Sequence, residues 1–77
     1  MDTLQRSTFT VRTYGRTELA QLYNPHIDPK NAFRKLRAWI AYNPALTQQL
    51  AALGYDGRSR TFTPAQVAAI VRFLGEP

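Results

Sequence analysis

The side chains with most chemistry to offer are crowded into one short stretch. Lys30, Arg34, Lys35 and Arg37 lie there together, and no acidic residue occurs between Asp28 and Asp56. Cations without neighbouring carboxylates keep their local potential, which is what a polyanion such as a phosphate backbone requires. On a helix, where successive residues turn by about 100°, Lys30, Arg34, Arg37 and Ala41 share one narrow arc. Asn31, Lys35 and Ala38 flank it. Arg and Lys suit phosphates or guanine, Asn suits adenine, and small residues allow close approach. A plain solvated face has the same pattern, because any amphipathic helix turns its polar groups outward. Composition alone does not separate the two.

A second basic pair, Arg58 and Arg60, stands around Gly57 in the run Tyr55-Asp56-Gly57-Arg58-Ser59-Arg60-Thr61-Phe62. In a nucleic-acid binder these arginines would touch the sugar-phosphate backbone; otherwise they simply keep a surface loop soluble.

Catalytic chemistry has little to work with. The one histidine, His26, lies in the loop Asn24-Pro25-His26-Ile27-Asp28-Pro29, where Asp28 is better explained as a helix cap than as its partner. Asp2 and Glu76 lie near the ends of the chain, Glu18 on a helix face and Asp56 in a turn. No two acids are spaced for paired acid and base work, and no glycine-rich phosphate loop or metal-ligand cluster occurs. Zero cysteines exclude a disulfide, a thiolate zinc site and a cysteine nucleophile. No enzyme, cofactor or metal is expected.

The elements that must position the basic stretch are well punctuated. Asp28-Pro29, Asn43-Pro44 and Thr63-Pro64 each set a good cap before proline at the first helical position. Thr63 and Gln66 fit a capping box, and Gly54 and Gly75 sit where helix ends favour a left-handed residue. Helices are therefore predicted at about 29–42, 44–53 and 64–74. A shorter one near 16–23 would turn Leu19, Leu22 and Tyr23 inward and Glu18 and Gln21 outward, ending at Asn24-Pro25.

The core stripes are Phe33, Leu36, Trp39 and Ile40 with Ala32, then Leu46, Leu50 and Leu53, then Val67, Ile70, Val71 and Leu74. Trp39 belongs to the buried stripe, so core is its expected place rather than a base-stacking surface. Phe62 before the Thr63 cap is placed to staple against Val67. Residues 9–14 alternate with period two, like a short strand, and 55–62 reads as a small hairpin or an extended loop.

The chain has 77 residues, a net charge of +5 and a pI near 10.3, with 44% hydrophobic residues. That is enough for one domain with a small core. The expectation is a mainly α, compact four-helix domain over 9–77, after a flexible segment 1–8. A short helix, a tight connection and a basic second helix have the order of a helix-turn-helix, with a small wing-like β element. Neither a membrane-spanning run nor a leader pattern is read, so the expected location is the cytoplasm.

Two resemblances add to this. Residues 13–23, Ala32 to Ile40, Gly54-Tyr55, Arg60 to Val67 and Leu74 to Pro77 resemble a small family from Bacteroides and relatives, domain of unknown function 4248. It carries no established activity, and implies a bacterial, intracellular origin. More distantly, the layout is similar to the winged helix-turn-helix of MerR-type regulators and excisionases. There a Tyr precedes a Glu-Leu-Ala helix, as Tyr14 precedes Glu18-Leu19-Ala20. An Arg-rich wing then leads through an aromatic-Thr-Pro cap to a helix ending Leu-Gly, as Arg58 through Gly75 does. That likeness implies a second helix in the major groove, bringing Lys30, Asn31, Arg34, Lys35 and Arg37 to DNA. The chain departs from it in the additional helix 44–53 and in Pro25 within the turn, and no coiled coil is expected after the last helix.

The expected function is a small DNA-binding regulator or accessory factor, with duplex DNA as partner and RNA as a second polyanion of the same charge. The rival is a protein-interaction module of a mobile element or phage-related system, acting as a homodimer or an adaptor. For that reading, Tyr42, Tyr55 and Phe73 are the aromatics least tied to the core.

Overall fold

A computed structural model of the chain describes residues 9–77. The segment 1–8, expected to be flexible, lies outside the described residues. The elements run β1 (Tyr14–Gly15), α1 (Arg16–Tyr23), α2 (Pro29–Ala41), α3 (Pro44–Ala52), β2 (Thr61–Phe62) and α4 (Pro64–Leu74). They form one mainly α domain.

Three of the helices begin as the cap-proline pairs dictate. The Asp28 carboxylate accepts from the Asn31 amide at 3.3 Å, the Asn43 side chain from Leu46 at 3.1 Å, and the Thr63 hydroxyl from Gln66 at 3.2 Å. Each satisfies an amide that the first turn leaves without an intrahelical partner. Helix α1 starts differently, because Gly15 has no side chain to cap with. Glu18 supplies the return bond alone, its carboxylate accepting from the Gly15 amide at 3.0 Å. Gly75 ends α4 with φ +84°, and Gly57 takes φ +85° in the Asp-Gly turn, conformations that β-carbons disfavour.

The β element pairs across the chain. Tyr14 faces Phe62 and Gly15 faces Thr61 in an antiparallel two-stranded sheet, with three helices between the strands in sequence. Of the two readings of 55–62, the extended loop therefore holds, with only its last two residues in a strand. The strand expected at 9–14 is likewise confined to its end. Residues 10–13 are exposed throughout, so their alternation buries nothing. The segment folds back instead, with Phe9 stacked on Tyr14 at 5.4 Å and the Tyr14 hydroxyl donating to the Thr10 carbonyl at 2.7 Å.

The core joins Tyr14, Leu19, Ala20, Leu36, Ile40, Leu46, Leu50, Phe62, Val67 and Ile70, with Ala32 and Ala69 filling close approaches. Phe62 and Val67, the expected staple pair, are both fully buried. Helix α1 packs chiefly on α2, and its orientation corrects one expectation. Leu22 is 44% exposed, while Ala20 is fully buried. Positions 16, 19, 20 and 23 form the inward stripe, and Leu22 falls well off it.

Two polar bridges lock the remaining corners. The Gln66 side chain is buried, accepts from the Thr63 amide and donates to the Leu53 carbonyl, both at 3.0 Å. It thus completes the capping box and also ties the end of α3 to the start of α4. The Thr47 hydroxyl donates to the Ile40 carbonyl at 2.7 Å, joining α3 to the end of α2.

Candidate nucleic-acid interface

Helix α2 has two unlike faces. Ala32, Leu36 and Ile40 are buried, and Phe33 and Trp39 are half-buried at the edges of that stripe. Lys30, Arg34, Lys35 and Arg37 are exposed on the other side. The exposed side is not a simple ridge. Lys30, Arg34 and Arg37 line an open groove of about 540 Å³, floored by Phe33 and the small residues Ala38 and Ala41.

A fourth cation completes it. Arg16, the first residue of α1, lines the same groove. Its guanidinium lies 4.9 Å from the centre of the Phe33 ring, and that of Arg37 lies 5.8 Å from it. A guanidinium over an aromatic face is attracted by the ring quadrupole and keeps its N–H edges free to donate. Among the described residues no acidic side chain lines this groove.

The sequence reading missed Arg16 because it lay outside the acid-free stretch, and it assigned Phe33 wholly to the core. The signal was the α1 stripe 16, 19, 20 and 23. The three later positions of that stripe are fully or half-buried against the rest of the fold, and the same face carries Arg16 to α2. The Arg16 amide also donates to the Arg60 carbonyl at 2.8 Å, next to the β1–β2 pairing, which fixes where α1 begins.

The other expected residues are placed less centrally. The Asn31 side-chain amide donates to the Asp28 carboxylate at 2.6 Å, so it is held at the helix N-terminus rather than offered outward. The same side-chain bond, followed by the Asn31 backbone amide, holds the Asp28 carboxyl below its ordinary value. Lys35 is exposed but stands off the groove. Arg58 and Arg60 are exposed on the loop between α3 and β2. The Arg58 amide donates to the Asp56 carboxylate at 2.9 Å, the geometry of an Asx turn.

Tyr55 joins the far end of the groove. It packs on Phe62, with ring centres 5.1 Å apart, and lines a smaller recess beside Arg37 and Ala41. Burial raises its hydroxyl pKa, while the positive charges of Arg37 and Arg16 act in the opposite direction. Of the three aromatics set apart for a protein interface, Tyr55 is therefore half-buried on the groove side. Tyr42 is 84% exposed beside Trp39 and Leu74, and Phe73 is 37% exposed.

Among the described residues, no group of three or more His, Cys, Asp or Glu side chains could hold a metal. None of the described helices is long and apolar enough to cross a membrane. No curated protein and no solved structure gives a significant match to the chain. One family model does match, that of domain of unknown function DUF4248, over residues 10–77. The matched span contains every element of the fold and all four cations of the groove. The chain belongs to the DUF4248 family.

Proposed function

We propose that this is a small, non-enzymatic, cytoplasmic DNA-binding protein that engages duplex DNA through α2. The observation that carries the proposal is the groove in which Arg16, Lys30, Arg34 and Arg37 meet with no acidic side chain among its lining residues. Four cations in one concave strip concentrate positive potential, whereas scattered surface cations are largely screened by salt. The order of α1, a tight connection and then basic α2 supports a helix-turn-helix-like role. The exposed Arg58 and Arg60 on the loop before β2 would add wing-like contacts to the backbone.

The test is fluorescence anisotropy of a labelled 30-bp duplex of random sequence, titrated with protein across a salt series. The expected log–log slope is roughly −3 to −6, the signature of several neutralised phosphates. No binding at low salt would overturn the proposal. A double-stranded RNA of the same length separates the two polyanions, since equal charge gives no preference and A-form geometry changes how phosphates meet the groove.

A second reading is favoured by one observation. Tyr42 is 84% exposed on a recess formed with Trp39, Asn43 and Leu74. Exposed aromatics of this kind are typical of protein interfaces, which suits a homodimer or an adaptor. Sedimentation at high micromolar concentration distinguishes the homodimer, which would run at twice the monomer mass.

A further inference from the structure

We infer that the groove around Phe33 seats the sugar-phosphate backbone of duplex DNA, and that the protein binds DNA without reading its bases. This rests on the DNA-binding proposal above and specifies what the site recognises.

Readout of adenine or cytosine needs an acceptor on the protein, and readout of guanine needs an Arg or Lys free to reach forward from the helix. Asn31 is the only amide or hydroxyl side chain on α2. Its amide nitrogen is bonded to the Asp28 carboxylate at 2.6 Å, in the same cap that receives its backbone amide. What remains on the exposed side of α2 is donor-only: Lys30, Arg34, Lys35 and Arg37.

Two of the cations are further constrained. Arg16 and Arg37 both place their guanidiniums over the Phe33 ring, so they are committed to the groove rather than thrown forward from the helix. A guanidinium attracted to an aromatic ring still has N–H donors to offer, and its planar fork can match a phosphate bidentately. Phe33 is therefore a positioning residue: it sets where two charges lie and brings no charge of its own to the ligand. The floor beyond it is Ala38 and Ala41, which provide room and no side-chain hydrogen bonds. Donors around an apolar floor fit phosphate oxygens, which are acceptors on every sequence alike.

The experiment compares the parent, Arg16→Ala and Asn31→Ala on a set of unrelated 30-bp duplexes, A·T-only, G·C-rich and mixed, each over a salt series. The parent is expected to bind all of them within about tenfold, far inside the usual ratio of specific to non-specific affinity of roughly a thousandfold or more. Arg16→Ala should weaken binding to every duplex by the same factor, about fivefold or more, and reduce the salt slope by about 1. Asn31→Ala should bind as the parent does. The hydrogen bond from the Arg16 amide to Arg60 survives truncation. Arg16→Gln, which keeps most of the stem and removes the charge, should give the same loss if Arg16→Ala melts early.

A preference of more than tenfold for one duplex would overturn the inference, as would parental affinity in both Arg16 variants. Either result would leave DNA binding itself standing. Failure of the parent to bind any duplex would instead remove the underlying proposal, and this one with it.

Discussion

The two faces of α2 are made from the same thirteen residues and respond to different physics. On one face Leu36 is fully buried and Ile40 nearly so, and their contribution is apolar area and close packing. On the other, Arg34 and Arg37 are exposed and line the groove with Arg16 and Lys30. Exposed cations of this kind contribute little to folding, and clustering them without partners mildly opposes it. The fold thus gains little from the basic strip beyond the contacts of Arg16 and Arg37 with the Phe33 ring. Charge gathered where stability does not require it is what a binding surface looks like. The separation of the two faces also makes it testable.

The buried face should show the largest effect. Leu36→Ala leaves a cavity in the core where α2 packs on α1, and large-to-small core substitutions cost about 2–5 kcal/mol. In a domain of this size that is much of the total stability, so urea denaturation should show a midpoint near zero or no folded baseline.

Next comes a site that belongs to neither α2 face, the corner between α3 and α4. Gln66→Leu leaves the Thr63 amide and the Leu53 carbonyl without their partner. An unsatisfied buried polar group costs about 1–3 kcal/mol, so the melting temperature should fall by roughly 4–8 °C per kcal/mol of destabilisation. Duplex affinity of the folded variant should not change. A parallel drop in affinity would show that the groove depends on the α3–α4 corner, and the two faces would not be independent.

The smallest effect lies at the start of α2. Asp28 has a depressed pKa in the folded chain, so its contribution to stability is fully present above the unfolded carboxylate value. It disappears as pH falls through the lower, folded value. Stability should therefore decline in acid below about pH 4, and Asp28→Asn, which still caps, should decline less. Thermal melts from pH 2 to pH 6 measure this. Glu18, bonded to Arg12 and to the Gly15 amide, is depressed in the same direction and sets the background slope.

How much of this was legible follows from the range of each interaction. The caps at Asp28, Asn43 and Thr63 act within four residues, so α2, α3 and α4 could be read from their first residues. The β1–β2 pairing could not, because Tyr14 and Phe62 are joined across three helices and their segments carry no register signal. The extended loop at 55–62 follows from that pairing, since β2 already has its partner. Leu22, expected inward, is exposed, and Ala20 is buried, because the orientation of an eight-residue helix with four apolar side chains is set by its packing neighbour. The four cations were legible only in part. Lys30, Arg34 and Arg37 are local, but Arg16 reaches them only through the packing of α1 on α2. Asn31 could be placed on the helix, but not its second bond to the cap, because one carboxylate can accept from both the backbone and the side chain.

The decisive variant is the double substitution Arg34→Ala/Arg37→Ala, measured for both melting temperature and duplex affinity in one buffer. Melting should fall by no more than a few degrees, because both side chains are exposed and only Arg37 has a ring contact, with Phe33. Affinity should fall by about tenfold or more, with the salt slope smaller by about 2, one for each phosphate no longer neutralised. Parental affinity in the double variant would contradict DNA binding through α2, and the basic face of that helix would be a solvated surface.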